Sequence, residues 1–240
     1  MVSITETGSS FSNLLQRASI DMEKYEALYK RLHQNPELSD QEAKTAQAMA
    51  EQLSNLKAFE ITTDIGGHGL VGILRNGPGK TVMLRADMDA LPVKEATGLP
   101  YASTATMPDA DGVDRPVMHA CGHDMHMACL VAAAETLLKL KENWSGTLIV
   151  LFQPAEERGT GAKAMVDDGL YTKHKVPVPD FVLGQHVVSM RAGSIGSKVG
   201  TLMAGADSMR ITLFGKGGHG SQVSQRRPQH VTHGIAIVNT

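Results

Sequence analysis

Apolar residues recur at helical spacing near the amino terminus. Tyr25, Leu28, Tyr29 and Leu32 share one face of a predicted helix that Asn35-Pro36 ends. Ser39-Asp-Gln-Glu42 has the form of a capping box, and Ala43, Ala46, Ala50, Leu53 and Leu56 mark the inner face of a second helix. The period then shortens. FEITT at 59–63, GLVGIL at 69–74 and TVMLRA at 81–86 read as strands, with Asn76-Gly-Pro-Gly79 turning between the last two. Residues 87–122 lack periodicity and are rich in Pro, Gly and Asp, and so long a loop is uncommon in a compact domain unless it carries function. An Ala- and Leu-rich run from Asp124 to Lys141 predicts a buried helix. After it come the strand GTLIVLFQ, the loop PAEERGTG, a helix near 161–170 and the strand DFVLGQHV.

Helices alternating with nearly all-apolar strands predict the α/β class: a sheet covered by helices on both faces, with sites gathering at the carboxyl ends of strands. Residues 1–18 are Ser/Thr-rich and expected to be loosely ordered, and 19–200 form the main domain. From 201 to 222 a new strand and a glycine-rich turn open a second, smaller domain, and the tail 223–240 shows no convincing element.

Composition narrows the partners. A formal net charge of -2, with no basic cluster beyond Arg226-Arg227, leaves no electrostatic footprint for nucleic acid or an anionic membrane. The longest apolar run, LIVLF at 148–152, is too short to span a bilayer, and the amino terminus lacks the pattern of a signal peptide. A soluble, cytoplasmic protein acting on small molecules is expected. Cys121 and Cys129 are the only cysteines, and a disulfide framework between positions so close to one helix is implausible, which leaves Cys121 free for chemistry.

MHACGHDMHMA, residues 118–128, gathers three histidines, a cysteine and an aspartate. In Cys121-Gly122-His123 the one-residue spacing would place both donors on one side of an extended segment, and thiolate with imidazole suits zinc or a related divalent ion. A cysteine beside a capping histidine is the plainer alternative. Glu156-Glu157 follows a buried strand, and adjacent side chains diverge, so one can ligate a metal while the other takes a proton from water. A charged turn partnered by Arg158 is the competing reading. His186 ends the FVLGQH strand on the same edge and is either a ligand or a core histidine. Asp87 is assigned to orienting a ligand imidazole, whereas Asp89 stays open among orienting group, ligand and turn former. His126 is open between supporting the site and capping or core packing.

These segments together carry a resemblance. LRADMDALPV (84–93), MHACGHDMHMA (118–128), LFQPAEERGTGAKAMVDDGL (151–170), GQHV (184–187) and FGKGGHGSQ (214–222) resemble the amidohydrolase branch of the dinuclear-metal aminoacylase and carboxypeptidase family. That branch includes hippurate hydrolases, N-acyl-amino-acid hydrolases and auxin-conjugate hydrolases. The resemblance implies a zinc-exopeptidase-like catalytic domain with a central mixed sheet, interrupted by a small α+β lid and dimerisation domain. It implies two divalent ions, zinc or manganese, and cleavage of the amide bond of an N-acyl amino acid by a homodimer. Carried over, Cys121, His123, Glu157 and His186 look like metal ligands, Glu156 like the general base, and His219 like the lid histidine that reaches a neighbouring subunit's site. Arg85-Ala-Asp87 stands where related branches carry His-x-Asp, so one histidine ligand is replaced there.

The chain departs from the family pattern after Gln222 and is expected to be truncated, lacking a last histidine ligand, with 223–240 an aberrant tail. An impaired enzyme is the expectation for the chain as it stands; the alternative is a catalytically inactive metal-binding or subunit-interaction fragment.

Overall fold

A computed structural model describes residues 12–203, 207–211 and 234–238. The chain divides into two compact units, Met1–Val188 and Ser189–Thr240.

The first unit is built on a five-stranded mixed sheet. Its strands are β1 (Glu60–Ile65), β2 (Gly69–Asn76), β3 (Thr81–Asp87), β6 (Gly146–Gln153) and β7 (Phe181–Gly184), in the order β1-β2-β6-β3-β7. β1 pairs antiparallel with β2 and β2 with β6, while β6, β3 and β7 are mutually parallel. The parallel trio matters for function because all three strands release the chain at the same edge. β6 is buried at every position but Thr147, as its apolar run predicts. Alternation along it feeds two cores. Leu148, Val150 and Phe152 face three helices, whereas Ile149 and Leu151 face the opposite layer with Val71, Met83, Met165 and Leu170.

The three helices are α1 (Met22–Gln34), α2 (Ala43–Asn55) and α3 (His123–Lys139). Asp21 caps α1 by accepting from the amides of Glu23 and Lys24, and Tyr25, Leu28 and Leu32 form its buried face. α2 is rotated relative to the expected face: Thr45, Met49 and Leu53 are buried and Ala43 is exposed. Thr45 can turn inward because its hydroxyl donates to Glu37 Oε2 at 2.9 Å. The short helix α4 (Gly161–Asp167) covers the other sheet face through Met165.

Three further differences concern single segments. Residues 12–17, expected to be loosely ordered, are helical. The long 87–122 segment holds a small hairpin, β4 (Thr106–Pro108) with β5 (Asp114–Pro116), closed by a turn in which Asp109 Oδ1 accepts from the amides of Asp111 and Val113. β7 is an edge strand, and Phe181, Val182 and Leu183 are all more than half exposed.

In the second unit β8 (Asp207–Ile211) pairs antiparallel with β9 (Gly234–Val238). The tail read as lacking any element therefore supplies a strand, from the run Gly-Ile-Ala-Ile-Val.

Candidate active site

The site is assembled where the parallel strands end. Asp87, the last residue of β3, lies opposite Gln153, the last of β6, and the Met88 amide donates to the Gln153 carbonyl at 2.9 Å. Met88-Asp89 and Pro154-Ala155-Glu156-Glu157 therefore leave the sheet side by side. The chain after β7 brings Gln185, His186 and Val187 to the same edge, and the amino terminus of α3 brings Cys121 and His123.

Cys121 and His123 do not converge by strand alternation. Gly122 is the N-cap of α3 in the left-handed region (φ 82°), and His123 is the first helical residue. The left-handed cap turns the chain so that both donors face one point. A Cβ at Gly122 would lie 2.4 Å from Val187 Cγ2, so the position needs glycine for conformation and for space.

His123 is fully buried and central. Its Nδ1 is 3.3 Å from Asp89 Oδ1, and its Nε2 is 3.6 Å from Asp87, 3.7 Å from Glu156 and 3.8 Å from Glu157. His186 Nδ1 donates to the Val187 carbonyl at 2.7 Å, which turns Nε2 toward Cys121 Sγ at 3.3 Å. His126 lies between these groups. Its Nδ1 donates to Asp87 Oδ1 at 2.7 Å and its Nε2 accepts from the Val187 amide at 3.0 Å, so it ties β3 to the segment carrying His186.

Asp87 thus holds His126 and, through its other oxygen, Arg85 at 2.6 Å, while Asp89 is the carboxylate against His123 Nδ1. By distance, the carboxylate against His123 Nδ1 is that of Asp89, and Asp87, assigned from sequence to orienting a ligand imidazole, bonds His126. Arg158 pairs with Asp40 at 3.1 Å, which disfavours the plain charged-turn reading of Glu156-Glu157.

The electrostatics call for a cation. Four carboxylates surround one buried imidazole. Burial and the nearby charges of Glu157, Glu156 and Asp87 push the Cys121 thiol up to about 12. Burial, reinforced by Glu156 and Asp89, likewise pushes the Glu157 carboxyl up. Asp87 is held below the ordinary carboxylate range because its hydrogen bond with His126 and the charges of His123 and Arg85 outweigh burial. Both nitrogens of His123, Asp89 Oδ1 and Glu157 Oε1 are buried without a hydrogen-bond partner. Each such atom costs about 1–3 kcal/mol if left bare, and a divalent ion would satisfy several at once and restore the thiolate.

Three overlapping groups have ligand atoms within 4.8 Å of one another: Cys121, His123 and His186; Asp87, His123 and His126; and His123, Glu156 and Glu157. They share His123, and the Cys/His/carboxylate donor set fits zinc or another borderline divalent ion. Of the residues singled out from sequence, Asp87, Cys121, His123, Glu156, Glu157 and His186 meet here, and His219 lies outside the described residues. Sequence reasoning missed a buried network beside the site, in which His33 bridges Asp124 at 2.6 Å and Glu95 at 3.0 Å. Asp124, adjacent to His123, was the one available signal for it. Cys121 and Cys129 are both free thiols.

The sequence profile of the peptidase family M20/M25/M40 matches residues 83–233. Hippurate hydrolase from Campylobacter jejuni is 43% identical over 219 residues, covering 90% of this chain and 53% of that protein. The N-acyl-L-amino acid amidohydrolase of Geobacillus stearothermophilus is 37% identical, covering 82% of this chain and 50% of its own length. Among solved structures, the Bacillus subtilis YXEP protein, described as a dinuclear metal-binding peptidase of the M20 family, superposes with a TM-score of 0.67 at 32% identity. That match covers 77% of this chain and 48% of the other. The chain spans about half the length of the curated relatives it matches.

Proposed function

Because the chain belongs to the peptidase family M20/M25/M40, we propose that the protein hydrolyses the amide bond of N-acyl amino acids of the hippurate kind. Cys121, His123, Glu157 and His186 hold divalent metal in this reading, as a pair of zinc or manganese ions. The observation that carries it is the pair of buried, unpartnered atoms His123 Nε2 and Glu157 Oε1 beside a thiol and a second imidazole. Bound divalent ions supply polarisation of the scissile carbonyl and lower the pKa of water to roughly 7.

The remaining roles fall to side chains. Glu156 is the more exposed of the two glutamates and faces the cluster at 3.7 Å from His123, so it takes the proton from water and passes it to the leaving amine. Asp87 fixes His126, and His126 fixes the backbone beside His186. His219 contributes to the oxyanion from a neighbouring subunit in a homodimer. The free thiols support a cytoplasmic setting, and no described helix is long and apolar enough to cross a membrane.

A second reading, an inactive metal-binding or subunit-interaction fragment, is favoured by the exposed apolar face of β7. Hippurate turnover by the purified 240-residue chain discriminates the two. Hydrolysis abolished by a chelator and restored by zinc or manganese supports the enzyme. Metal uptake without turnover supports the fragment, and absence of both removes the metal-site reading.

A further inference from the structure

We propose that the corner between α1 and α2 positions the hydrolytic site from behind, with Glu42 and Ser39 as positioning residues for Glu156, Glu157 and His123. This rests on the reading of those three residues as base and ligands. The first observation is a helix whose expected caps are absent. Ser39 and Glu42 have capping-box spacing, yet neither side chain bonds the α2 amides. Glu37 does that work instead: its carboxylate accepts from the amide of Thr45 at 2.8 Å and of Lys44 at 3.3 Å. Ser39 and Glu42 are thereby free to reach elsewhere.

Both reach the site. Glu42 is fully buried, and its Oε1 accepts from the Ala155 amide at 2.7 Å. Ala155 has a φ of 45°, a left-handed conformation that an alanine holds only when its surroundings enforce it. The next two residues are Glu156 and Glu157, so the Glu42 contact sets the direction in which both side chains leave β6. The Ser39 hydroxyl donates to Asp89 Oδ2 at 2.6 Å, and the same oxygen accepts from the Glu157 amide at 3.0 Å. The other oxygen of Asp89 is the one against His123 Nδ1. Through one carboxylate, Ser39 therefore acts on the Glu157 backbone and the His123 ring together.

The corner is itself anchored to the end of β3, because the Ala90 amide donates to the Glu37 carbonyl at 2.8 Å. Glu42 keeps its second oxygen buried without a partner. An apolar residue would be the ordinary occupant of such a position, and a carboxyl there is explained by the amide it holds.

The test is a cobalt(II) titration of the full 240-residue chain, read by thiolate-to-cobalt absorption from Cys121, for wild type, E42A, E42Q, S39A and E37Q. Groups that orient ligands typically change metal affinity by about 10–100-fold when removed, so E42A and S39A are expected to weaken cobalt binding within that range. E42Q keeps an acceptor oxygen and is expected to bind like wild type. E37Q disturbs the same corner without touching the site, and is expected to lower the melting temperature with affinity unchanged. Wild-type affinity in both E42A and S39A overturns the proposal, as does an equal loss in E37Q. If E42A does not fold, S39A and E37Q decide between them. A wild-type chain without a thiolate-to-cobalt band instead removes the metal-site reading, and this inference with it.

Discussion

Gly122→Ala tests whether the left-handed cap of α3 is what brings Cys121 and His123 together. Two costs are readable from the structure. An alanine at a φ of 82° is disfavoured by about 1–2 kcal/mol. Its Cβ would approach Val187 Cγ2 to 2.4 Å, far inside an ordinary contact, and overpacking of this kind adds about 1–3 kcal/mol. At roughly 2–4 °C per kcal/mol for a domain of this size, the combined loss of about 2–5 kcal/mol corresponds to a melting temperature lower by about 4–20 °C. The clash also has a direction. Val187 is stiff at χ1, and its backbone donates to His126 and follows His186, so the strain is passed to that segment and should change the distance from His186 to Cys121. Thermal unfolding of wild type, G122A, V187A and the double variant separates the terms. Val187→Ala removes the steric part and leaves the conformational part, so the double-mutant cycle should show a coupling of about 1–3 kcal/mol. Cobalt titration of the same proteins should show weaker thiolate absorption in G122A and partial recovery in the double variant. A G122A protein that melts within about 1 °C of wild type would falsify the reasoning.

On the proposed reading, Glu156→Gln should lower kcat for hippurate by about 10²–10⁴-fold while metal content, measured by elemental analysis, stays that of wild type. Cys121→Ser replaces the soft donor with a hydroxyl and should shift competition titrations away from zinc and toward harder ions such as manganese; an unchanged preference would exclude Cys121 as a ligand. Away from the site, burial opposes ionisation of Glu135, but hydrogen bonds from Lys24, Tyr25 and Lys139 outweigh it and hold its carboxyl at about 2 instead of about 4.5. A depressed carboxylate stabilises the fold above its unfolded pKa, and that contribution is lost as pH falls from about 4.5 toward 2. The stability gap between wild type and E135Q, measured by urea unfolding, should therefore be widest near neutral pH and close over that acid range.

Much of the fold was legible because the hydrophobic period is strong. The α1 face, the all-apolar β6 and the α3 run follow from side chains that can be buried only one way. The reading weakened where a polar contact overrode the pattern. Thr45 turned inward because Glu37 satisfies its hydroxyl, which rotated α2 by a step that apolar spacing does not reveal. The tail strand β9 was missed because five apolar residues have no detectable period of their own, and its partner β8 lies more than twenty residues earlier.

The site divides in the same way. Residue chemistry and order along the chain single out Cys121, His123, Glu156, Glu157 and His186 as candidates, the glutamates and His186 just after apolar strands and the other two in one short donor-rich segment. Which atom meets which was decided only by the tertiary structure. Parallel pairing of β3 with β6 sets Asp87 beside the Pro154–Glu157 turn, and a left-handed glycine turns Cys121 toward His186. Asp89 faces His123, while Ser39 and Glu42, just ahead of α2, bond Asp89 and the Ala155 amide. Donor identity is local and written one residue at a time. Convergence depends on backbone direction at strand ends far apart in sequence, and only the packed sheet determines that.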